Sequence, residues 1–539
     1  MRIFPSKSVR RVGLRALLLA PVFLIGQTCT DLTEVPHDAL TPNNAFHTDA
    51  EVLAGVAAVY AQLRSQEEPG YLTLEELSTD ALIVPTRGND WYDNGQWLDI
   101  HRQTWSANSS AELSMVDPAW NDLFAGVAKA NLMIDVITKA GGAEAPQTLA
   151  ELRSLRAWYY YMLQDLFGGV PLVTTTEVKQ YPRVSRDSIF RFIESELLDS
   201  RDKLPVQWDA SMYGRMTKGA DNAILASLYL NAGVFDVADT KTIDANGYNS
   251  CSGVKVSGGK DACQAAIDAA DAVIGSGVYT LNPNWSQNFS IDNKSSPENI
   301  FVIVHTKEQN LGGNWPMRTL HYNQLATGDG GPWNGFATLA ETYNKFSATD
   351  DRRNMWLEGQ AYSFETGKPV TDRQGNNLVF TIDIPDATAA GENIGVRFNK
   401  FPPLPSTPHG NSNPNDFPFF RLAEMYLIKA EALNEMGNTA GATTELARIH
   451  NMHDPSNPIA SGLSKTQLRT AILNERLFEL TAEGKRRTDL IRHGLFLKQW
   501  STATKNGKTD KSAETYRILF PISALQLQSN PLLTQNPGY

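Results

Sequence analysis

A stretch from residue 87 to residue 97 combines aromatic rings with hydrogen-bonding side chains. It reads Arg-Gly-Asn-Asp-Trp-Tyr-Asp-Asn-Gly-Gln-Trp and has neither a helical nor a strand period. Indole faces stack on the apolar C–H faces of pyranose rings, while amides, carboxylates and guanidinium groups bind sugar hydroxyls. The composition therefore predicts a carbohydrate site whose candidate contacts are Arg87, Asp90, Trp91, Asp93, Asn94 and Trp97.

A second stretch of the same kind lies between residues 314 and 335. It contains Asn-Trp-Pro, His-Tyr-Asn and Gly-Asp-Gly-Gly-Pro-Trp-Asn-Gly, and its candidate contacts are Trp315, Tyr322 and Trp333. Each tryptophan of the two stretches has an alternative role, which is to fix its loop onto the scaffold. The sequence leaves both roles open.

Three carboxylates on one predicted helix raise the possibility of catalysis. Glu475, Glu479 and Glu483 recur at every fourth position, and two carboxylates about 5 to 9 Å apart serve as acid and base in glycosidases. Because basic residues crowd the same stretch, salt bridges are the favoured interpretation. These basic residues are Arg476, Lys485, Arg486, Arg487 and Arg492.

Other catalytic and metal-binding signals are weak. The chain has no Gly-x-Ser-x-Gly motif, phosphate-binding loop or dinucleotide fingerprint. Among the nine histidines the best spacing is that of His450 and His453, which we interpret as a solvated helix end rather than a metal site. The sequence predicts a binding protein, not an enzyme, with no cofactor and no metal.

The N-terminus has the composition of a secretory signal. The first 28 residues carry five basic side chains and no acidic one, with an uninterrupted apolar run from Ala16 to Gly26. That run is too short to cross a bilayer of about 30 Å as a helix but suits the core of a signal peptide. We predict a signal peptide over residues 1–28 and a mature chain without a transmembrane helix. Removing the five cations takes the net charge from −11 to −16, which disfavours nucleic acid as a partner.

Three cysteines are an odd number for an exported chain. Cys251 and Cys263 flank a Gly/Ser-rich stretch, and a disulfide between them would join this loop to the following helix. Cys29 follows the signal segment directly, where a bacterial lipoprotein is cleaved and acylated. We predict the Cys251–Cys263 disulfide and lipidation at Cys29. The alternative is an ordinary cleaved signal peptide that leaves Cys29 free or mispaired.

The rest of the chain has a helical period over many segments. Gly437-Asn438 separates two of these helices as a plausible left-handed cap, and Ser464 to Gln467 has the spacing of a capping box. Alanines at close-contact positions suggest tetratricopeptide-like helical hairpins. The predicted helices cover residues 44–64, 148–167, 187–204, 217–235, 262–275, 418–436, 439–452 and 464–483.

Two long Gly/Asn/Asp/Trp-rich stretches, residues 81–116 and 284–416, connect these helices. Loops of that length inside a compact protein are usually functional. Short β-runs at 299–304 and 378–382 predict a few strands. We assign Trp120, Trp158 and Trp356 to the core because they lie on predicted helices or at helix ends.

A series of motifs, in order along the chain, resembles the SusD/RagB family of outer-membrane nutrient-binding lipoproteins. No single motif is strong, but together they cover essentially the whole mature chain. They include Phe-Gly-Gly-Val-Pro at 167–171, Gly-Arg-Met-Thr-Lys-Gly at 214–219, Asn-Glu-Arg-Leu-Phe-Glu at 474–479, Glu-Gly-Lys-Arg-Arg-Thr-Asp-Leu-Ile-Arg at 483–492 and the C-terminal stretch 530–539.

The resemblance implies a mostly α-helical fold, in which tetratricopeptide-like hairpins form a scaffold for long loops and a few short strands. It implies one unit over residues 29–539, with an N-terminal half (29–235), a loop-rich ligand-facing region (236–416) and a C-terminal helical region (417–539). It also implies that both aromatic stretches contribute to one ligand surface, so we pair Trp91 and Trp97 with Trp315 and Trp333.

The functional implication is a lipid-anchored outer-membrane protein, facing the extracellular side, that binds glycan. Members of the family deliver nutrient into a SusC-like TonB-dependent transporter. The alternative that the sequence leaves open is a tetratricopeptide-like surface scaffold that binds peptide or protein rather than sugar.

Overall fold

Helices form most of the scaffold in the computed structural model, which describes residues 46, 48–67, 70–238, 240–328, 330–406, 410, 412–500 and 511–539. The predicted mostly helical class is confirmed. The α-helices are α1 (Asp49–Ala61), α2 (Tyr71–Leu77), α3 (Gln96–Arg102), α4 (Asp117–Ala140), α5 (Ala145–Phe167), α6 (Arg186–Ser200), α7 (Lys218–Leu230), α8 (Ala232–Phe235), α9 (Ala262–Ile274), α10 (Trp315–Thr319), α11 (Ala340–Tyr343), α12 (Leu422–Glu435), α13 (Thr439–His453), α14 (Lys465–Leu480), α15 (Arg486–Arg492) and α16 (Ala524–Ser529).

Helix α5 lies at the centre of the N-terminal helices, between α4 and α6. From Ala150 to Phe167 every residue except Arg153 is buried, because the helix is covered on nearly all sides. It ends at Gly168, whose φ of 74° is left-handed and favours glycine. Helix α4, which the sequence analysis did not predict, begins with Pro118 in its first turn and ends before Gly141 at φ 66°.

Helices α12, α13 and α14 form the hairpin stack that the cap signals predict. Gly437 has a φ of 86° between α12 and α13, and the side chain of Asn438 accepts a hydrogen bond from the backbone N–H of Gly441 at 2.9 Å. Ser464 and Gln467 form a complete capping box at the start of α14. The predicted left-handed cap after α12 and the predicted start of α14 are therefore confirmed.

Short strands pair in small sheets between the helices. β1 pairs antiparallel with β7, β6 lies between β2 and β3, and β4 pairs with β5. The strands are β1 (Asn299–Ile303), β2 (Ala337–Thr338), β3 (Trp356–Leu357), β4 (Gly359–Gln360), β5 (Val379–Phe380), β6 (Val396–Phe398) and β7 (Phe417–Arg421).

The predicted start of the helix over 418–436 is wrong. Residues Phe417–Arg421 form strand β7, and helix α12 begins at Leu422. All five residues of the strand are buried, and their backbone pairs with β1, more than a hundred positions earlier in the chain. This long-range pairing outweighs the local helical period.

Cys251 and Cys263 form a disulfide with their Cα atoms 5.0 Å apart. Both side chains are fully buried, and the side chain of Asp261 caps α9 by accepting a hydrogen bond from the N–H of Cys263 at 3.1 Å. The bridge fixes the loop before α9 to the first turn of that helix.

The predicted signal peptide over 1–28 and the lipidation site Cys29 lie outside the described residues. Residues Phe46–Tyr539 form one compact unit, and the finer division at 235 and 416 stays a prediction. Among the residues that the structure describes, no helix combines the length and apolarity needed to cross a membrane. Trp120, Trp158 and Trp356 are 5%, 1% and 6% exposed, so their assignment to the core is confirmed.

Candidate functional site

The loop before α3 has an unusual backbone. Trp91, Asp93 and Asn94 have φ values of 60°, 38° and 56°, in the left-handed region that costs energy for side chains other than glycine. Asp93 and Asn94 are exposed, as the predicted contacts require. Strain of this kind persists only where surrounding contacts hold it, so the neighbours of Trp91 determine the shape of the loop.

Trp91 is held by the second aromatic stretch. Its Nε1 donates a hydrogen bond to the backbone oxygen of Trp333 at 2.6 Å, and the two ring centroids lie 6.5 Å apart. Phe336 packs edge-on against the Trp91 ring at 6.0 Å. Gly335 lies directly under the indole, because a Cβ there would lie 2.4 Å from Trp91 Cζ2. The two loops predicted from composition therefore meet at Trp91 and Trp333.

Three of the predicted contacts lie beneath this surface. Trp97 is 6% exposed and donates from Nε1 to Asp93 Oδ2 at 2.7 Å. Trp315 is 3% exposed and stacks on Phe401 with a centroid distance of 5.9 Å. Arg87 is 3% exposed and donates to the backbone oxygen of Gly391 at 2.6 Å. We therefore assign Trp97, Trp315 and Arg87 to the support of the site.

A polar arm extends from the aromatic rings. The Tyr322 hydroxyl donates to Asp90 Oδ2 at 2.5 Å, and burial together with the Asp90 carboxylate raises the pKa of Tyr322 to about 12. The Arg373 guanidinium lies 4.4 Å from the centroid of the Tyr322 ring. It also forms ion pairs with Asp90 at 3.1 Å and with Glu392 at 2.5 Å.

We call Trp91, Trp333 and Tyr322, with Asp90 and Arg373, the aromatic platform. Trp333 is 36% exposed, Trp91 and Tyr322 are half-buried, and the side chain of Arg373 is 51% exposed. Ring faces and charged groups thus share one accessible surface, an arrangement that can stack on a sugar ring and bind its hydroxyls. Sequence reasoning missed Arg373, because its neighbours contain no aromatic cluster.

The three carboxylates of the Glu475 series are ion-paired, as predicted, but mostly with distant partners. Arg352 donates to Glu475 at 2.6 Å and to Glu479 at 2.9 Å. Arg421 binds Glu479 and Glu483 with nearest distances of 2.7 Å. The predicted neighbours pair elsewhere: Arg476 with Asp489, Lys485 with Glu424, Arg486 with Asp80, Arg487 with Asp165 and Arg492 with Glu431.

Charge neutralisation in this buried cluster is strong. Burial raises the pKa of Glu479, but Arg421, His453 and Arg352 outweigh burial and hold the pKa of that carboxyl well below its ordinary value. The side chains of Glu475, Glu479 and Glu483 are each 1% exposed. The carboxylates therefore bind α14 and the turn after it to strand β7 and to the segment around Arg352, and they are almost completely shielded from solvent.

The interpretation of His450 and His453 as a solvated helix end is wrong. His450 is half-buried, with Nδ1 2.6 Å from Glu475 Oε2, and His453 is 5% exposed, with Nδ1 3.1 Å from Asp351 Oδ1. His450 pairs with Glu475 because α13 packs against α14, whereas the partner of His453, Asp351, lies outside both helices. Within the described ranges, no group of three or more His, Cys, Asp or Glu side chains is arranged to hold a metal ion.

A family model described as the SusD family matches residues 235–539, more than half of the chain. The chain belongs to the SusD family. A second model, described as "starch-binding associating with outer membrane", matches residues 39–230 of this SusD-family chain. The two matches together cover both aromatic stretches.

Relatives of this SusD-family chain match over most of their lengths. The starch-binding protein SusD of Bacteroides thetaiotaomicron is 24% identical over 86% of this chain and 84% of its own length. SusD-like protein P25 of Formosa agariphila is 22% identical over 97% of this chain and 99% of its own length.

Solved structures share the fold. A laminarin-binding SusD-like protein superposes with a TM-score of 0.69 at 22% identity, covering 92% of this chain and all of its own. Surface glycan-binding protein A of Bacteroides thetaiotaomicron, solved in complex with laminarihexaose, gives a TM-score of 0.68 at 19% identity. It covers 90% of this chain and 99% of its own.

Proposed function

We propose that this SusD-family chain is a cell-surface glycan-binding protein that captures oligosaccharide or polysaccharide on the aromatic platform. The observation that carries the proposal is the junction of Trp91 and Trp333, where two loops far apart in sequence meet through a 2.6 Å hydrogen bond. A rigid, partly exposed pair of indoles beside a polar arm matches the chemistry of pyranose rings.

Names of relatives support carbohydrate as the ligand class. One relative is named as starch-binding, and two solved structures with this fold are a laminarin-binding protein and a complex with laminarihexaose. Starch and laminarin are therefore the first glycans to test with this chain.

We propose a binding role without catalysis. The carboxylates with the best spacing for acid and base chemistry, Glu475, Glu479 and Glu483, are buried in ion pairs with Arg352, Arg421 and Lys400. The proposed destination of the captured glycan is a SusC-like TonB-dependent outer-membrane transporter, a partner that rests on the family resemblance.

Replacing Trp91 or Trp333 with Ala is expected to weaken glycan binding by about 1 kcal/mol or more, roughly fivefold in affinity. Each change removes a stacking face without emptying a fully buried site, so the melting temperature should change little. Affinity electrophoresis in gels with laminarin or soluble starch, followed by calorimetric titration, measures the loss.

Tyr181→Ala is the matched control, because Tyr181 is also half-buried but lies outside both aromatic stretches. Equal retardation of the Trp91→Ala, Trp333→Ala and Tyr181→Ala variants would show that the platform does not bind the glycan. Wild-type protein that no glycan retards, but that binds peptide, would favour the scaffold alternative.

We propose that Cys29 carries a lipid that anchors the chain to the outer membrane on the extracellular side. The description of the second family model includes association with the outer membrane. Cys29→Ser should yield an exported protein without lipid, and labelling cells with a palmitate analogue measures this. The double variant Cys251→Ser/Cys263→Ser should keep the label. Label persisting in Cys29→Ser would contradict the assignment.

A further inference from the structure

A cavity of about 410 Å³ lies on a part of the chain that the aromatic platform does not use. Its walls come from residues 206–217 before α7, residues 278–279 after α9 and residues 294–302 around the start of β1. Its volume falls within the range of about 300 to 1,000 Å³ that is usual for small-molecule sites.

One wall of the cavity is an indole ring in a fixed orientation. Trp208 Nε1 donates to the backbone oxygen of Met216 at 2.7 Å, and the Arg215 guanidinium lies 4.2 Å from the ring centroid. Arg215 is itself held by Glu151 through hydrogen bonds of 2.8 and 2.5 Å. The ring is therefore positioned before any ligand binds, which lowers the entropic cost of binding.

Two tyrosines complete the aromatic lining. Tyr213 and Tyr279 are both half-buried. The Tyr279 hydroxyl lies 3.3 Å from Thr217 Oγ1, and Gly219 allows this approach, because a Cβ at that position would lie 2.6 Å from the hydroxyl. Three aromatic side chains thus line one cavity that is open to solvent on one side.

The polar lining is nearly neutral and rich in hydrogen-bonding groups. It contains one carboxylate, Asp209, and one ammonium, Lys294, while the charge of Arg215 is paired with Glu151. Asn299 Oδ1 is buried and has no hydrogen-bond partner among the described residues. The uncharged polar side chains are Gln207, Thr217, Ser295, Ser296 and Asn299. This lining suits a neutral ligand with many hydroxyls better than an anion.

The surroundings favour a sugar chain over an extended peptide. A peptide would bind by pairing along the outer edge of β1, but the close approach of Gly214 to the residue directly after β1 leaves no room for another strand at that point. A Cβ on Gly214 would lie 2.3 Å from Val304 Cγ2, directly after β1. A smaller cavity of about 230 Å³ shares Val206, Val278 and Tyr279 with the first, so the two cavities adjoin at these residues.

We propose that the cavity lined by Trp208, Tyr213 and Tyr279 is a second binding site for a neutral oligosaccharide. The ligand class rests on the proposed function, whereas the site itself rests on the cavity and its lining. With the platform, it would let one chain hold a long glycan at two points, which strengthens binding through effective concentration.

The test uses the double variant Trp91→Ala/Trp333→Ala, in which the platform is disabled. Saturation-transfer difference NMR detects weak binding of laminarihexaose, maltohexaose, cellohexaose, xylohexaose and mannohexaose. We expect at least one hexasaccharide to give a signal in this background. Adding Trp208→Ala to the double variant should reduce the affinity of the protein for that hexasaccharide about tenfold or more.

A blocking variant keeps the test independent of folding. Ala210 is exposed on the cavity wall, so Ala210→Trp should fill the cavity without removing a contact and should also abolish the signal. Tyr181→Ala in the same background should retain it. Thermal melts identify any variant that fails to fold.

The outcomes separate this proposal from the proposed function. A platform-disabled protein that gives no signal with any hexasaccharide, or signals that survive both Trp208→Ala and Ala210→Trp, would overturn the second site. If Trp91→Ala/Trp333→Ala binds as tightly as wild type and Trp208→Ala removes all binding, the platform assignment fails and the cavity stands.

Discussion

Arg421→Met should destabilise the protein by about 3 to 5 kcal/mol, because it leaves a buried group of carboxylates without their central cation. Arg421 is fully buried and forms ion pairs with Glu298 at 2.6 Å and with Glu479 and Glu483 at 2.7 Å each. Methionine occupies a similar length but supplies neither charge nor hydrogen bonds. Urea denaturation followed by circular dichroism measures the loss.

The matched control is Arg448→Met. Arg448 pairs with Glu445 at 3.4 Å and its side chain is 48% exposed, so its removal should cost no more than about 0.5 kcal/mol. If the two variants lose equal free energies of unfolding, the buried cluster stabilises the protein no more than an exposed ion pair does.

The loss caused by Arg421→Met should also depend on pH. Arg421 favours the ionised form of Glu479 and lowers the pKa of that carboxyl. Without it the buried carboxylates bind protons more readily, and a neutral carboxyl is less costly to bury. Relative to wild type, the variant should therefore be less destabilised at pH 5 than at pH 8.

Local signals predicted the helices that carry their own start and stop residues. The hairpin around Gly437 and the capping box at Ser464 are present as expected. Helix α4 has signals of the same kind in Pro118 and Gly141, so its bounds can also be read from the sequence. Strand β7 was not predictable in this way, because its pairing partner β1 lies in a distant part of the chain.

Composition identified the two stretches that meet at Trp91 and Trp333, but it did not show which of their rings are exposed. Trp91 lies in the loop before α3 and Trp97 lies six residues later in the first turn of α3, yet only Trp97 is buried. The exposure of each ring depends on the left-handed backbone of the loop. It also depends on packing against Phe336, whose ring centroid lies 6.0 Å from the centroid of Trp91 and 6.0 Å from that of Trp97. Spacing in sequence contains neither of these facts.

The charge-rich C-terminal helices also show that spacing in sequence does not predict which side chains are buried or which partners they bind. The spacing of Glu475, Glu479 and Glu483 predicted ion pairs, and their burial could not be read from the same spacing. Two of the cations, Arg352 and Lys400, come from the loop-rich region more than 80 residues away from their carboxylates. Only the tertiary fold brings such partners together.

Trp158→Ala should destabilise the protein by about 3 to 5 kcal/mol, because it empties a packed site in the middle of α5. Trp158 is 1% exposed. Its ring lies 5.2 Å from those of Phe419 and Phe420 in β7, and 4.9 Å from that of Tyr161. The cavity would separate α5 from the β1–β7 sheet, and a thermal melt should show the loss directly.

Trp158→Phe tests whether packing is the cause. The Trp158 Nε1 has no hydrogen-bond partner among the described residues, so phenylalanine removes no hydrogen bond and retains much of the ring contact. The Trp158→Phe variant should therefore lose less than half of the free energy of unfolding that the Trp158→Ala variant loses.

Trp97→Ala should also lower the melting temperature, because Trp97 is buried, whereas Trp91→Ala should not. If the Trp91→Ala variant melts at as low a temperature as the Trp158→Ala variant, Trp91 stabilises the fold rather than binding the glycan. The platform then loses its main stacking residue.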